Sequence, residues 1–177
     1  LNLYYDVTHP NWYKRPDWFA VVGVPRLYEG REPRLSYVRW QERIDPLIVV
    51  ELLSPGTEEE DLGQTARQFG KPPTKWQVYE QILRVPYYVV FNRYTDEIQA
   101  FQLVGDRYQS AELTEARLPI PRIELSLGLW QGSYENLDRL WLRWMTPNGD
   151  LILTASERAE RLAARLRELG VDPKQLE

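Results

Sequence analysis

The run LIVVELL at residues 47–53 sets one carboxylate, Glu51, inside the strongest strand signal of the chain. Burying a lone carboxylate costs on the order of several kcal/mol unless it is paired, hydrogen-bonded or bound to a metal. Glu51 therefore needs a partner. A strand glutamate ordinarily finds one as a wet strand-end acid, or one facing a tyrosine or arginine. Asp17 offers a sharper alternative. It follows Pro16 directly and opens WFAVVGV, a second run of bulky and β-branched residues. Adjacent strands lie roughly 5 Å apart, so acids on one face of neighbouring strands can share a divalent cation.

A lysine would complete such a site. Leu53, two positions past Glu51, is aliphatic. Lys75 instead opens the next helical segment and shares a face with Tyr79, four residues on. On spacing alone Lys75 reads as a solvated first-turn lysine.

The elements that must position these residues follow from pattern. Residues 1–5 (LNLYY), WFAVVGV and LSYVRW read as strands ahead of LIVVELL. Thr74 is an expected N-cap for KWQVYEQIL, Pro86 ends that helix, and YYVVF follows as a strand. EIQAFQLV and RYQSAEL form an expected hairpin across Gly105-Asp106. A second hairpin is expected across Pro147-Asn148-Gly149, between residues 139–144 and 150–153. ASERAERLAARLREL closes the chain as a helix with Leu162, Leu166 and Leu169 on one face and Gly170 as its stop. The order predicts an α/β (mixed α+β) fold around a mixed sheet.

Composition narrows the chemistry. The 177 residues, 43% apolar and 27% charged, describe a globular chain with seven Trp and eleven Tyr. No cysteine is present, which excludes thiolate catalysis and sulfur-ligated zinc, and His9 alone cannot build a multi-histidine metal site. No run approaches a membrane span, and the sequence reads as a cytoplasmic protein. A net charge of -4 argues against a general nucleic-acid coat. Lys14, Arg15, Arg26 and Arg31 nevertheless make the neighbourhood of Asp17 basic enough to meet phosphates. Trp141 and Trp144 are candidates for base stacking or, more ordinarily, for packing a hairpin. The acidic run Glu58–Asp61 reads as solvent-facing.

PDWFAVVGV, then IVVELLSPGT with Asp61, then KWQVYEQILRVPYYVVF, resembles the Uma-type restriction endonucleases of bacteria over residues 1–127. Their superfamily is restriction-endonuclease-like, with a Pro-Asp … Asp/Glu-x-Lys active site. The resemblance implies a central mixed sheet flanked by helices, Asp17 as metal-binding aspartate and Glu51 as second acidic ligand. It implies Lys75 as the site lysine, matched through its spacing to Tyr79, with Leu53 standing where the superfamily often has lysine. It also implies Mg²⁺ or Mn²⁺ as cofactor and DNA as substrate. The chain departs from the pattern in places. Thr65 stands where the family commonly has its lysine, the segment ARQFGKPPT intervenes before Lys75, and Lys71 is a second candidate. Asn92 occupies a position often held by aspartate. Many members carry an N-terminal helix that contributes a glutamate, whereas here Leu1 already opens a strand.

The resulting expectation is a restriction-endonuclease-like domain over residues 1–153 and an amphipathic helix over 154–177. Its site is Asp17, Glu51 and Lys75, and its action is metal-dependent hydrolysis of DNA, with a homodimer serving two-strand cutting. Two other readings stand beside it: a catalytically degenerate nuclease fold that binds DNA or protein, and an oligomeric scaffold held by the terminal helix.

Overall fold

A computed structural model describes residues 1–66, 68 and 70–172. The chain divides into two compact units, Leu1–Leu113 and Thr114–Glu177.

The first unit runs β1 (Asn2–Tyr4), β2 (Tyr13–Lys14), β3 (Trp18–Ala20), β4 (Leu27–Tyr28), β5 (Glu32–Pro33), β6 (Ser36–Val38) and α1 (Arg39–Glu42). It continues with β7 (Ile48–Leu52), α2 (Glu58–Asp61), α3 (Lys75–Gln77), a π-helical turn (Val78–Ile82), β8 (Tyr87–Asn92), β9 (Glu97–Val104) and β10 (Arg107–Ser110). Its main sheet has the order β10-β9-β8-β7-β3 and is mixed, since β7 and β8 are parallel and every other pair is antiparallel. A second sheet, β2-β1-β6, and the small β4-β5 ribbon complete it. This mixed α+β arrangement is the restriction-endonuclease-like fold expected from the sequence.

The parallel pair is the centre of the unit. IVVEL and YYVVF are near-continuous apolar runs because a strand covered on both faces has no wet side to alternate with. The crossover that joins them carries α2, α3 and the π turn. Val49, Leu53, Tyr88 and Val90 pack with Val78, Tyr79, Leu83 and Val85 in one buried cluster. Period-two alternation puts Glu51 on the same strand face as Val49 and Leu53, so its side chain enters the core beneath the crossover.

Thr74 caps α3 as expected, in a reciprocal capping box with Gln77. The helix does not continue regularly. After Gln77 it widens into the π turn, where Leu83 donates to the Val78 carbonyl. That turn buries Val78, Tyr79 and Glu80 in succession, which a regular helix surface would not do. WFAVVGV is also shorter as a strand than its composition suggests. Pairing ends at Ala20, and the chain turns away through Gly23 at φ +88°.

The second unit holds β11 (Arg117–Ile120), β12 (Leu125–Tyr134), β13 (Leu137–Met145) and α4 (Ala155–Glu168). Its sheet order is β11-β12-β13. The expected hairpin across Pro147–Gly149 is present but short, and the main partner of β13 is another strand. β13 pairs with β12 across Glu135-Asn136, both at positive φ, the geometry that two-residue hairpin loops require. The Pro147–Gly149 turn closes one antiparallel bridge, Met145 with Leu151, flanked by the Thr146 amide donating to the Asp150 carbonyl and the Ile152 amide donating to the Trp144 carbonyl. α4 begins at a Thr154/Glu157 capping box and stops where Gly170 takes φ +77°.

Candidate active site

β3 and β7 are direct neighbours, and Trp18 lies opposite Val50. Continuing that antiparallel register by one residue sets Asp17 opposite Glu51. The two are tied both ways: the Asp17 amide donates to Glu51 Oε2 at 3.3 Å, and the Leu52 amide donates to Asp17 Oδ2 at 2.7 Å. Asp17 is exposed, whereas Glu51 is 0% exposed.

Lys75 comes to this pair from the crossover. Its Nζ lies 3.2 Å from Glu51 Oε2 and 2.8 Å from Asp61 Oδ1. The third partner corrects the sequence reading of the acidic run. Asp61 is 1% exposed rather than solvent-facing, because it sits at the end of α2 against the core. There Tyr88 donates its hydroxyl to the Asp61 carbonyl oxygen at 2.8 Å. Tyr79, one regular turn beyond Lys75, donates its hydroxyl to Glu51 Oε1 at 2.9 Å. Lys71 is exposed and forms no ion pair among the described residues. Asn92 caps the β8–β9 turn, accepting from the Tyr94 amide at 2.9 Å.

The electrostatics follow from counting charges. Glu51 and Asp61 share one ammonium, so the buried trio carries excess negative charge when both acids ionise. Burial raises the pKa of Glu51, which stands at about 7; Lys75 and Tyr79 pull it down, and Asp61 pushes it up. Burial works against the charge on Lys75, yet the Glu51 and Asp61 carboxylates outweigh it and leave its pKa raised. Tyr79 is raised well above its ordinary value, first by burial and then by the adjacent Glu51, so it remains a hydrogen-bond donor.

Asp17 and Glu51 lie side by side on neighbouring strands, with Asp61 behind them. When all three ionise they leave two negative charges beyond the one that Lys75 neutralises, which suits a hard divalent cation that keeps several waters. Asp17 Oδ1 accepts no hydrogen bond among the described residues. Among the described residues no group of three or more His, Cys, Asp or Glu side chains is placed to hold a metal ion, so a cation here would rest on Asp17 and Glu51 alone.

Glu80 is a buried acid that the sequence reading passed over. It accepts from the Tyr108 amide at 2.8 Å and from Trp76 Nε1 at 3.3 Å, fastening the π turn to β10. Its only sequence signal was a carboxylate next to Tyr79 in an otherwise apolar helix. Trp141 is a packing residue: its Nε1 donates to the Gly132 carbonyl and its ring meets Tyr134 edge-on.

A mixed sheet whose parallel central pair is joined by a helical crossover is the restriction-endonuclease-like class of fold. Comparison with family models gives the particular family. The Uma2 model, described as "Putative restriction endonuclease", matches residues 1–138, and the chain belongs to that family. Neither the curated proteins nor the solved structures contain a match to it.

Proposed function

We propose that this protein is a metal-dependent endonuclease that hydrolyses DNA phosphodiester bonds at Asp17, Glu51 and Lys75. One observation carries the reading: the Lys75 ammonium and the Asp17 amide meet the same oxygen of a fully buried acid, at 3.2 and 3.3 Å. Perturbed, buried acids with a specific cationic partner are characteristic of functional sites.

Asp17 and Glu51 would hold Mg²⁺ or Mn²⁺. When bound, the ion supplies Lewis-acid polarisation of the phosphoryl group and a more acidic water. The chain's own residues do the rest. Lys75 has three N–H donors and uses two on Glu51 and Asp61, so the third is left for the attacking water or a phosphoryl oxygen. Asp61 holds the ammonium at that position. Tyr79 fixes the Glu51 carboxylate by its other oxygen. As the water oxygen bonds to phosphorus and its proton passes to solvent, the bond to the leaving sugar oxygen breaks, that oxygen takes a proton from solvent, and Lys75 stabilises the charge that develops.

The exposed Leu162 and Leu169 of the α4 segment support a homodimer, which would cut both strands by two-fold symmetry. A cytoplasmic location goes with a DNA substrate in this reading. No helix among the described residues is long and apolar enough to cross a membrane. A binding-only module is the second reading. It is favoured by the fact that both Glu51 oxygens already accept bonds from protein donors.

The deciding assay is plasmid nicking in Mg²⁺ and Mn²⁺ with calorimetric metal titration. Wild type should cut, and Asp17→Ala and Glu51→Ala should not. A folded wild type that neither cuts nor binds either metal sinks the enzymatic reading.

A further inference from the structure

A cavity of about 420 Å³ opens beside the paired acids, with Asp17 on its wall. Its walls include Trp18, Phe19, Val24 and Tyr37, and Arg26 and Arg34 stand at its margin. Tyr37 is a fixed wall, since its hydroxyl donates to the Ile44 carbonyl at 2.7 Å and its ring meets Phe19 edge-on. Trp18 is 42% exposed, so the indole is within reach of a ligand from solvent. Arg34 is immobilised by Glu42 and the Pro25 carbonyl, whereas Arg26 has no ion-pair partner among the described residues.

The chemistry that matches an aromatic, apolar hollow with guanidinium groups at its margin is a flat ring joined to an anion. Asp17 lines this cavity and also touches Glu51, so a ring seated there belongs to a nucleotide next to the phosphate under attack. Continuous duplex DNA presents phosphates and groove edges but keeps its rings stacked. A ring enters such a pocket only from single-stranded DNA or from a nucleotide that has left the stack. We infer that the cavity bounded by Trp18, Phe19, Val24 and Tyr37 takes an unstacked nucleobase adjoining the scissile phosphate. The substrate class is therefore DNA with unpaired nucleotides. This inference rests on the nuclease reading of the neighbouring acids.

The test separates binding from cutting. Fluorescence anisotropy in EDTA compares a single-stranded 12-mer, the same sequence as a matched duplex, and a duplex with one unpaired base. The full chain should bind the single strand and the unpaired-base duplex at least about tenfold tighter than the matched duplex, the scale that stacking of one base supplies. Val24→Phe, which fills the cavity, and Trp18→Ala, which removes a wall, should each shrink that preference to about twofold. Trp18→Ala serves if Val24→Phe does not fold, because the indole is partly exposed. Equal affinity for the three DNAs, with Mg²⁺-dependent cutting retained, overturns this inference and leaves the nuclease reading standing. A preference that survives in a folded Trp18→Ala or Val24→Phe protein also overturns it. No binding and no cutting of any of the three overturns both.

Discussion

Replacing Glu51 by glutamine should make the protein more stable at alkaline pH while ending its activity. Glu51 has a pKa of about 7 in the fold against 4.5 in an unconstrained chain, chiefly because it is stripped of water. That difference corresponds to about 3 kcal/mol between its two protonation states. The folded state holds this proton more tightly than the unfolded state does. Stability from this group is therefore full below about pH 4.5, falls as pH rises toward 7, and is gone above it. Glutamine keeps the shape and has no proton to lose: its amide oxygen can accept from Lys75 and Asp17, with its NH2 donating to the Tyr79 hydroxyl oxygen. At pH 8 the variant should gain about 2–3 kcal/mol over wild type, and near pH 4.5 the two should coincide. In urea unfolding followed by tryptophan fluorescence, that gain shifts the midpoint by on the order of 1–2 M at pH 8. Titrating groups away from Glu51 cancel in the comparison. A variant less stable than wild type at pH 8 would show that the Lys75 pairing outweighs the cost of burial, and would refute the reasoning.

Lys75→Met should cost about 3 kcal/mol at pH 8, because Glu51 and Asp61 lose their shared cation, and less at pH 5, where Glu51 keeps its proton; denaturation at both values measures this. Lys71→Ala should leave stability and nicking rate unchanged, since the residue is exposed and unpaired among the described residues. Tyr79→Phe should cost about 1–2 kcal/mol and raise the Glu51 pKa further, moving the acid limb of the nicking-rate profile to higher pH. Gly63→Ala should destabilise by about 2–3 kcal/mol in the same unfolding assay: Gly63 has φ +74°, and a Cβ there would stand 2.5 Å from the Trp76 ring. That ring cannot swing aside, being packed edge-on against Tyr88, Phe101 and Tyr108.

The parts of the fold legible in the sequence are those whose local pattern and tertiary role agree. LIVVELL and YYVVF read as buried strands because a parallel pair is buried on both faces. Thr74 and Gly170 read as helix boundaries because capping is local chemistry. Asp61 was illegible from its surroundings: EEED looks solvated, and its burial depends on Lys75 and Tyr88, which come from later elements. β12 was hidden by Gly128 and Gly132, which interrupt its strand pattern for a steric reason. A Cβ at Gly128 would stand 2.8 Å from the Ala116 carbonyl oxygen of the neighbouring chain segment. The π turn left no signal, because KWQVYEQIL has an ordinary helical period up to the point where it widens.

Asp17 is supplied by the least anchored member of the main sheet. β3 is an edge strand of three residues, paired on one side only. Short edge strands open by local fluctuation at far lower free energy than the whole unit unfolds. Each opening would carry Asp17 away while Glu51, Lys75 and Asp61 stay assembled in the interior. Cation affinity is then scaled by the fraction of time that β3 is docked, and a bound cation in turn holds the strand in place. On the metal-dependent reading proposed above, substitutions that only tighten or loosen β3 would tune the metal requirement without touching Asp17 or Glu51.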